Sequence, residues 1–180
     1  LVYVFTRDDG EDYKARLACA AKKRGFEPYF VAMYNARETD DFDAVGSYAV
    51  GGSPCENYAE NYLDWWKEHH NKRLATGYPV IPAVAMGWNP RPRIDAPVVW
   101  YGYPEGEYEE LSERNILDQA EAARKLLADN PAASIGHATF FAWNEFEEGG
   151  WICPTVTVDE HGDPVRDEHG KVVINADKLR

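Results

Sequence analysis

Val80-Ile81-Pro82-Ala83-Val84-Ala85-Met86 is apolar at every position. Side chains alternate faces along a strand, so such a run fits a strand covered on both sides, as in a parallel sheet flanked by helices. Working outward, Leu1–Phe5 and Tyr29–Met33 read the same way, Ala44–Val50 more weakly, and Ala138–Trp143 supplies a fifth strand. Helical spacing fills the intervals. Residues 12–24 place Tyr13, Leu17, Ala20 and Ala21 on one face before Gly25. Gly51-Gly52-Ser53-Pro54 leads into a helix over 56–74 whose face carries Tyr58, Tyr62, Leu63, Trp66 and His70, and which Gly77 ends. A further helix over 111–128 has Leu117, Ala120, Ala123, Arg124 and Leu127 in register and stops at Asn130-Pro131.

The order β-α-β-β-α-β-α-β leaves two architectures, an open doubly wound sheet or a (β/α)8 barrel. The open sheet announces itself by a glycine-rich phosphate loop after its first strand, and Thr6-Arg7-Asp8-Asp9-Gly10 matches no such pattern. The barrel is favoured. Five strands do not close one, and a complete barrel takes about 250 residues. The expected fold class is therefore α/β: a partial (β/α)8 TIM-type barrel containing about the last five strands. Residue 1 is Leu and starts inside a strand, so the natural N-terminus is expected upstream, and a final helix is expected after Leu179. Residues 1–154 are taken as the barrel portion and residues 155–180 as a small β-meander tail of the same domain. In that tail Asp159-Glu160-His161-Gly162 recurs as Asp167-Glu168-His169-Gly170. The two Asp/Glu/His clusters resemble metal ligands, but acidic turns closed by glycine account for every one of these residues.

Composition narrows the function classes. The chain has 180 residues, 44% hydrophobic and 28% charged, ordinary for a soluble globular protein. Its formal net charge of −12 and the lack of a basic face argue against nucleic acid and anionic membrane as partners. No apolar run approaches the roughly 18 residues of a membrane span. Cys19, Cys55 and Cys153 are odd in number and far apart, which suits neither a disulfide framework nor a zinc site. Aromatic residues reach 13%, with six Trp, as expected of a rich core or of stacking platforms for sugar rings. Periplasmic, extracellular and cytoplasmic settings all remain open.

Chemistry concentrates at Trp143-Asn144-Glu145-Phe146-Glu147-Glu148-Gly149-Gly150-Trp151, directly after the fifth strand. Active sites of (β/α) barrels lie at the C-terminal ends of the strands. Glu145 and Glu148, three residues apart on a turn tightened by two glycines, form a carboxylate pair able to face one substrate. Acid–base work on a glycosidic bond needs such a pair, one carboxyl protonated and one ionised. Glu147 reads as a solvated loop residue.

This motif resembles the signature W-N-E-[WF]-x-E-G of the glycoside hydrolase family 99-like group, which includes WbsX-like proteins found with polysaccharide biosynthesis; Pro154 stands where the family places a following proline. The segment from Val80 through Gly87-Trp88-Asn89-Pro90-Arg91-Pro92-Arg93 resembles the family's P-x-x-x-P-G-W-D-N-[ST]-P-R, with Asn89 where Asp is frequent and Met86 where Pro is frequent. The resemblance spans essentially the whole chain and corresponds to the second half of the family domain. It implies a retaining endo-α-mannosidase-like hydrolase in which Glu145 deprotonates the sugar's own 2-hydroxyl and Glu148 serves as general acid and then base. It implies no metal and no organic cofactor, and an oligosaccharide or polysaccharide substrate. It equally admits a WbsX-like module that transfers or only binds glycans.

Around the pair, Trp143, Asn144, Trp88, Arg93, Trp100, Trp151 and Tyr48 are the candidate substrate contacts. Asn144 is placed to hydrogen-bond Glu145 or sugar, and Arg93 to bind substrate or to lock its loop. Of Trp65 and Trp66, adjacent on a helix, one is expected in the core. His69 and His70 point about 100° apart and do not share a metal. His137, at the start of a strand, reads as structural.

Overall fold

The computed structural model describes residues 1–4, 10–33, 42–48, 58–97, 99 and 111–177. Trp100, Cys55, the Thr6–Asp9 part of the first loop and most of the aromatic stretch after Pro97 lie outside the described residues. The elements run β1 (Val2–Val4), α1 (Gly10–Lys22), β2 (Phe30–Ala32), β3 (Ala44–Gly46), α2 (Tyr58–Leu74), β4 (Val80–Ile81), β5 (Ala83–Ala85), α3 (Arg91–Asp95), α4 (Glu113–Asp129), β6 (Thr139–Phe141), β7 (Asn144–Glu145), β8 (Gly150–Trp151), β9 (Thr155–Val156) and β10 (Ile174–Asn175). Short 3-10 turns lie at Pro131–Ala133 and Phe146–Glu148. The chain is mixed α/β and divides into two compact units, one of Leu1–Val50, Leu63–Val84 and Gln119–Thr139, the other of Gly51–Tyr62, Ala85–Asp118 and Phe140–Arg180.

The first unit is built on a four-stranded parallel sheet in the order β1-β2-β3-β4. Val2 pairs with Phe30, Val31 with Ala44 and Val45 with Val80. The strands are as apolar as double coverage requires: Val31, Ala44, Val80 and Ile81 are fully buried. On α2, Trp66 and His70, four residues apart, face inward together. The Trp66 indole donates to the Ala83 carbonyl at 2.6 Å, and Ala83 N–H donates to His70 Nε2 at 3.1 Å. His70 Nδ1 lies 2.8 Å from the Trp66 carbonyl, which fixes the neutral tautomer with its proton on Nδ1. Trp66 is thus the core member of the tryptophan pair, and Trp65 is half-buried.

Three details differ from the sequence expectation. The run Val80–Met86 is two strands: Pro82, which has no N–H, separates β4, paired with β3, from β5, paired with β6. Leu17 is 45% exposed rather than on a buried face of α1. On α4 the buried stripe is Ile116, Gln119, Ala123 and Leu126; Leu117 and Arg124 face solvent, so the inward face is rotated by about one residue from the expected one. Gln119 on the inward face hid the true stripe, because a polar residue breaks the apolar spacing.

The second unit carries the β7–β8 hairpin, α3 and the tail. The tail is a meander: β9 pairs antiparallel with β10, with further antiparallel bridges Val158–Pro164 and Arg166–Val172. Its two turns repeat each other. Asp159 Oδ1 accepts from His161 and Asp163 N–H, and Asp167 Oδ1 from His169 and Lys171 N–H. Gly162 and Gly170 take positive φ, so turn chemistry is what the repeated tetrapeptide encodes.

Candidate active site

The site lies in the second unit, where two local structures meet. The first is α3. Pro90 and Pro92 start it, since a fixed φ and a missing N–H cost nothing in a first turn. Asn89 Oδ1 accepts from Arg91 N–H at 3.3 Å and from Arg91 Nε at 2.9 Å. This helix presents Arg93.

The second is the β7–β8 hairpin, in which Asn144 pairs with Trp151 and Glu145 with Gly150. Its connection is the Phe146–Glu148 turn, closed by Gly149 at φ +67° with its N–H donating to the Phe146 carbonyl. Asn89 N–H donates to the Glu148 carbonyl at 2.7 Å, fastening the loop before α3 to the turn.

Arg93 is the centre of the arrangement. Its Nη1 meets Glu148 Oε1 at 2.5 Å, Nε meets Glu147 Oε2 at 2.9 Å and Nη2 meets Glu145 Oε1 at 3.4 Å. Arg93 and Glu148 are largely buried, with side-chain exposures of 20% and 9%, whereas the Glu147 side chain is 65% exposed. Three carboxylates share one guanidinium. Burial first, and then the Glu148 charge, hold the Glu145 carboxyl above the usual carboxylate range; Arg93 opposes this and Glu147 adds to it. This setting makes Glu145 a stronger base than an isolated carboxylate.

The structure thus brings Glu145, Glu148 and Arg93 together. Trp151 is half-buried with its ring 5.8 Å from that of Phe146, and Trp88 is half-buried with its ring 6.1 Å from that of Phe141. Trp143 is 59% exposed. Asn144 is exposed and does not bond Glu145. Tyr48 belongs to the first unit, half-buried against the core of Val31, Met33, Ala44 and Ile81. His137 is exposed, with Nδ1 2.7 Å from the Ile135 carbonyl. Glu147 is exposed, as its reading as a solvated loop residue expects, but its pairing with Arg93, 54 residues away in the chain, had no signal in the sequence beyond an acidic residue next to the proposed pair. Among the described residues no group of three or more His, Cys, Asp or Glu is placed to hold a metal ion, and no described helix is long and apolar enough to cross a membrane.

No family model matches the chain, and no curated protein matches it. A solved structure described as a glycoside hydrolase-like protein is similar over 83% of this chain with a TM-score of 0.50 and 17% identity. The match covers 46% of that protein, so the chain spans about half the length of its structural neighbour. The likeness is one of fold: the chain has a glycoside hydrolase-like fold.

Proposed function

We propose that the chain is part of a glycan-active glycoside hydrolase of the family 99-like type, with Glu145 and Glu148 as its catalytic carboxylates. In this reading residues 1–154 are the C-terminal portion of a (β/α)8 barrel and residues 155–180 its tail. The observation that carries it is the convergence of Glu145 and Glu148 on Arg93, in a chain with a glycoside hydrolase-like fold.

The substrate is an α-linked oligosaccharide or polysaccharide of the mannan class. Glu145, made more basic by its setting, takes the proton of the sugar 2-hydroxyl, whose oxygen attacks the anomeric carbon, displaces the glycosidic oxygen with inversion and forms a 1,2-epoxide. Water then opens the new C1–O2 bond with a second inversion while Glu145 returns the proton to the 2-oxygen, so the net outcome is retention. Glu148 gives its proton to the departing glycosidic oxygen and later takes one from water. A general acid–base group contributes roughly 10²–10⁴-fold. Glu148 is bound to Arg93 in the resting chain, so it must exchange that partner for the leaving group before it can donate. Arg93, Asn144, Trp143 and the aromatic residues Trp88, Trp100 and Trp151 are the proposed sugar contacts.

The Arg93–Glu148 pairing also favours a second reading, a WbsX-like module that binds or transfers glycan without cleaving it. Both are tested by incubating the intact protein with a panel of α-linked glycans, mannans included, beside its Glu145→Gln and Glu148→Gln variants. Cleavage by the parent, falling by about a hundredfold or more in each variant, is the expected result. Retention of a glycan with no cleavage by any of the three selects the second reading.

A further inference from the structure

We propose that Glu147, the exposed residue between the two carboxylates, is the positioning residue that aims Arg93 at both of them. The inference builds on the proposed function, since it assigns the residue that organises that same pair. Arg93 offers three donor directions in a rigid plane, and each is directed at a different carboxylate. Glu147 takes Nε, at 2.9 Å. With Nε held, the planar fork cannot rotate about its stem, and Nη1 and Nη2 are left facing Glu148 and Glu145.

Among the described residues, the charged groups about Arg93 include Arg91 and Asp95 on its own helix, Glu147 and Glu148 on the Phe146–Glu148 turn, and Glu145 on β7. Arg91 is turned to Asn89 Oδ1, and Arg93 faces the three glutamates. A surface ion pair contributes little to stability by itself. The contribution argued for Glu147 is orientation, and it has a sign that separates it from a plain charge effect. Glu147 acts on Glu145 in two opposite ways. Its own negative charge raises the Glu145 carboxyl, while the guanidinium it anchors lowers it. Removing the Glu147 charge alone would lower Glu145. Removing the anchor lets the guanidinium turn about its Glu148 contact and away from Glu145, which would raise it.

The test is Glu147→Ala in the intact protein, with Glu147→Asp as the conservative variant. Side-chain NMR follows the Arg93 Nε–H resonance and the titration of the Glu145 carboxyl, and a pH profile of glycan cleavage is recorded alongside. Loss of the hydrogen-bonded Nε–H signal, with the Glu145 midpoint moving up by about half a pH unit or more and partial recovery of both in Glu147→Asp, is the expected outcome. An unchanged Nε–H signal, or a midpoint that stays or moves down, overturns the inference. The two readings fail separately: NMR changes in a protein that cleaves no glycan sink the hydrolase proposal, and cleavage whose pH profile ignores Glu147→Ala sinks the positioning role.

Discussion

Replacing His70 by phenylalanine is expected to weaken the protein by about 2 kcal/mol at pH 7, with much of that deficit disappearing in acid. At neutral pH the loss has a plain cause. The imidazole accepts from Ala83 N–H and donates to the Trp66 carbonyl, and it stacks on Trp66 with centroids 4.0 Å apart. Phenylalanine keeps the stacking and leaves the buried Ala83 N–H without its acceptor, a cost of about 1–3 kcal/mol. Acid changes the comparison. Burial is the main reason that His70 is pushed down to about 3; its bond to the Trp66 carbonyl opposes this, and neighbouring His69 and Arg73 add to it. In the unfolded chain the same group titrates near 6.5. Between these values the unfolded state binds the proton that the folded state refuses, so the stability that neutral His70 supplies is whole above pH 6.5 and is lost as pH falls toward 3. The loss is on the order of 4 kcal/mol at the low end.

His69 acts in the same direction over a shorter range. Its Nε2 lies 2.9 Å from Arg73 Nε, which donates to it, and 2.7 Å from the Ser47 hydroxyl. Burial, then Arg73, then Lys72 push it down to about 4. The parent should therefore lose stability steeply from pH 6.5 to 4, while His70→Phe, retaining only the His69 share, should lose it less steeply, so that the two curves converge. Urea midpoints measured at pH 7, 6, 5 and 4.5 check this. A constant gap between parent and variant would mean that His70 is not held neutral by the fold.

These histidines mark what a sequence can and cannot disclose. The spacing of Tyr62, Trp66 and His70 identified the inward face of α2, because a helix repeats its face every three to four residues. It did not identify His70 as the acceptor for a strand N–H, since that partner is settled by packing and not by spacing. The strands were legible from their continuous apolar character. The break at Pro82 was also written in the chain, but the apolar run around it masked a residue that cannot donate. Helix α3 had its signal in Pro90-Arg91-Pro92, lost within a stretch rich in turn residues. At the site, the Glu145–Glu148 spacing could be read as a motif, whereas the convergence of Glu145, Glu147 and Glu148 on Arg93 depends on a helix more than fifty residues upstream.

Gly149→Ala should unfold the site more severely than any surface substitution near it. Gly149 has φ +67°, a left-handed conformation that costs a residue with a Cβ about 1–2 kcal/mol. The added atom also has nowhere to go. A Cβ built there falls 2.6 Å from Asn89 N and 2.7 Å from Asn89 Cβ, and these belong to the strap that fastens α3 to the glutamate turn. Relief requires Asn89 to withdraw, which breaks its 2.7 Å bond to the Glu148 carbonyl and draws Arg93 away from the three carboxylates. Strain and clash together should cost about 3 kcal/mol or more. Gly162→Ala is the matched control. Gly162 has φ +83° but open space around its Cβ position, so it carries the conformational term alone, about 1 kcal/mol. Chemical denaturation of both variants, with the Arg93 Nε–H signal followed in each, separates the two terms. The expected result is a loss at least twice as large for Gly149→Ala, accompanied by loss of the Arg93 signal that Gly162→Ala retains. Equal losses would show that the loop before α3 yields readily, and that the close approach of Asn89 to Gly149 does not hold the carboxylate cluster in place.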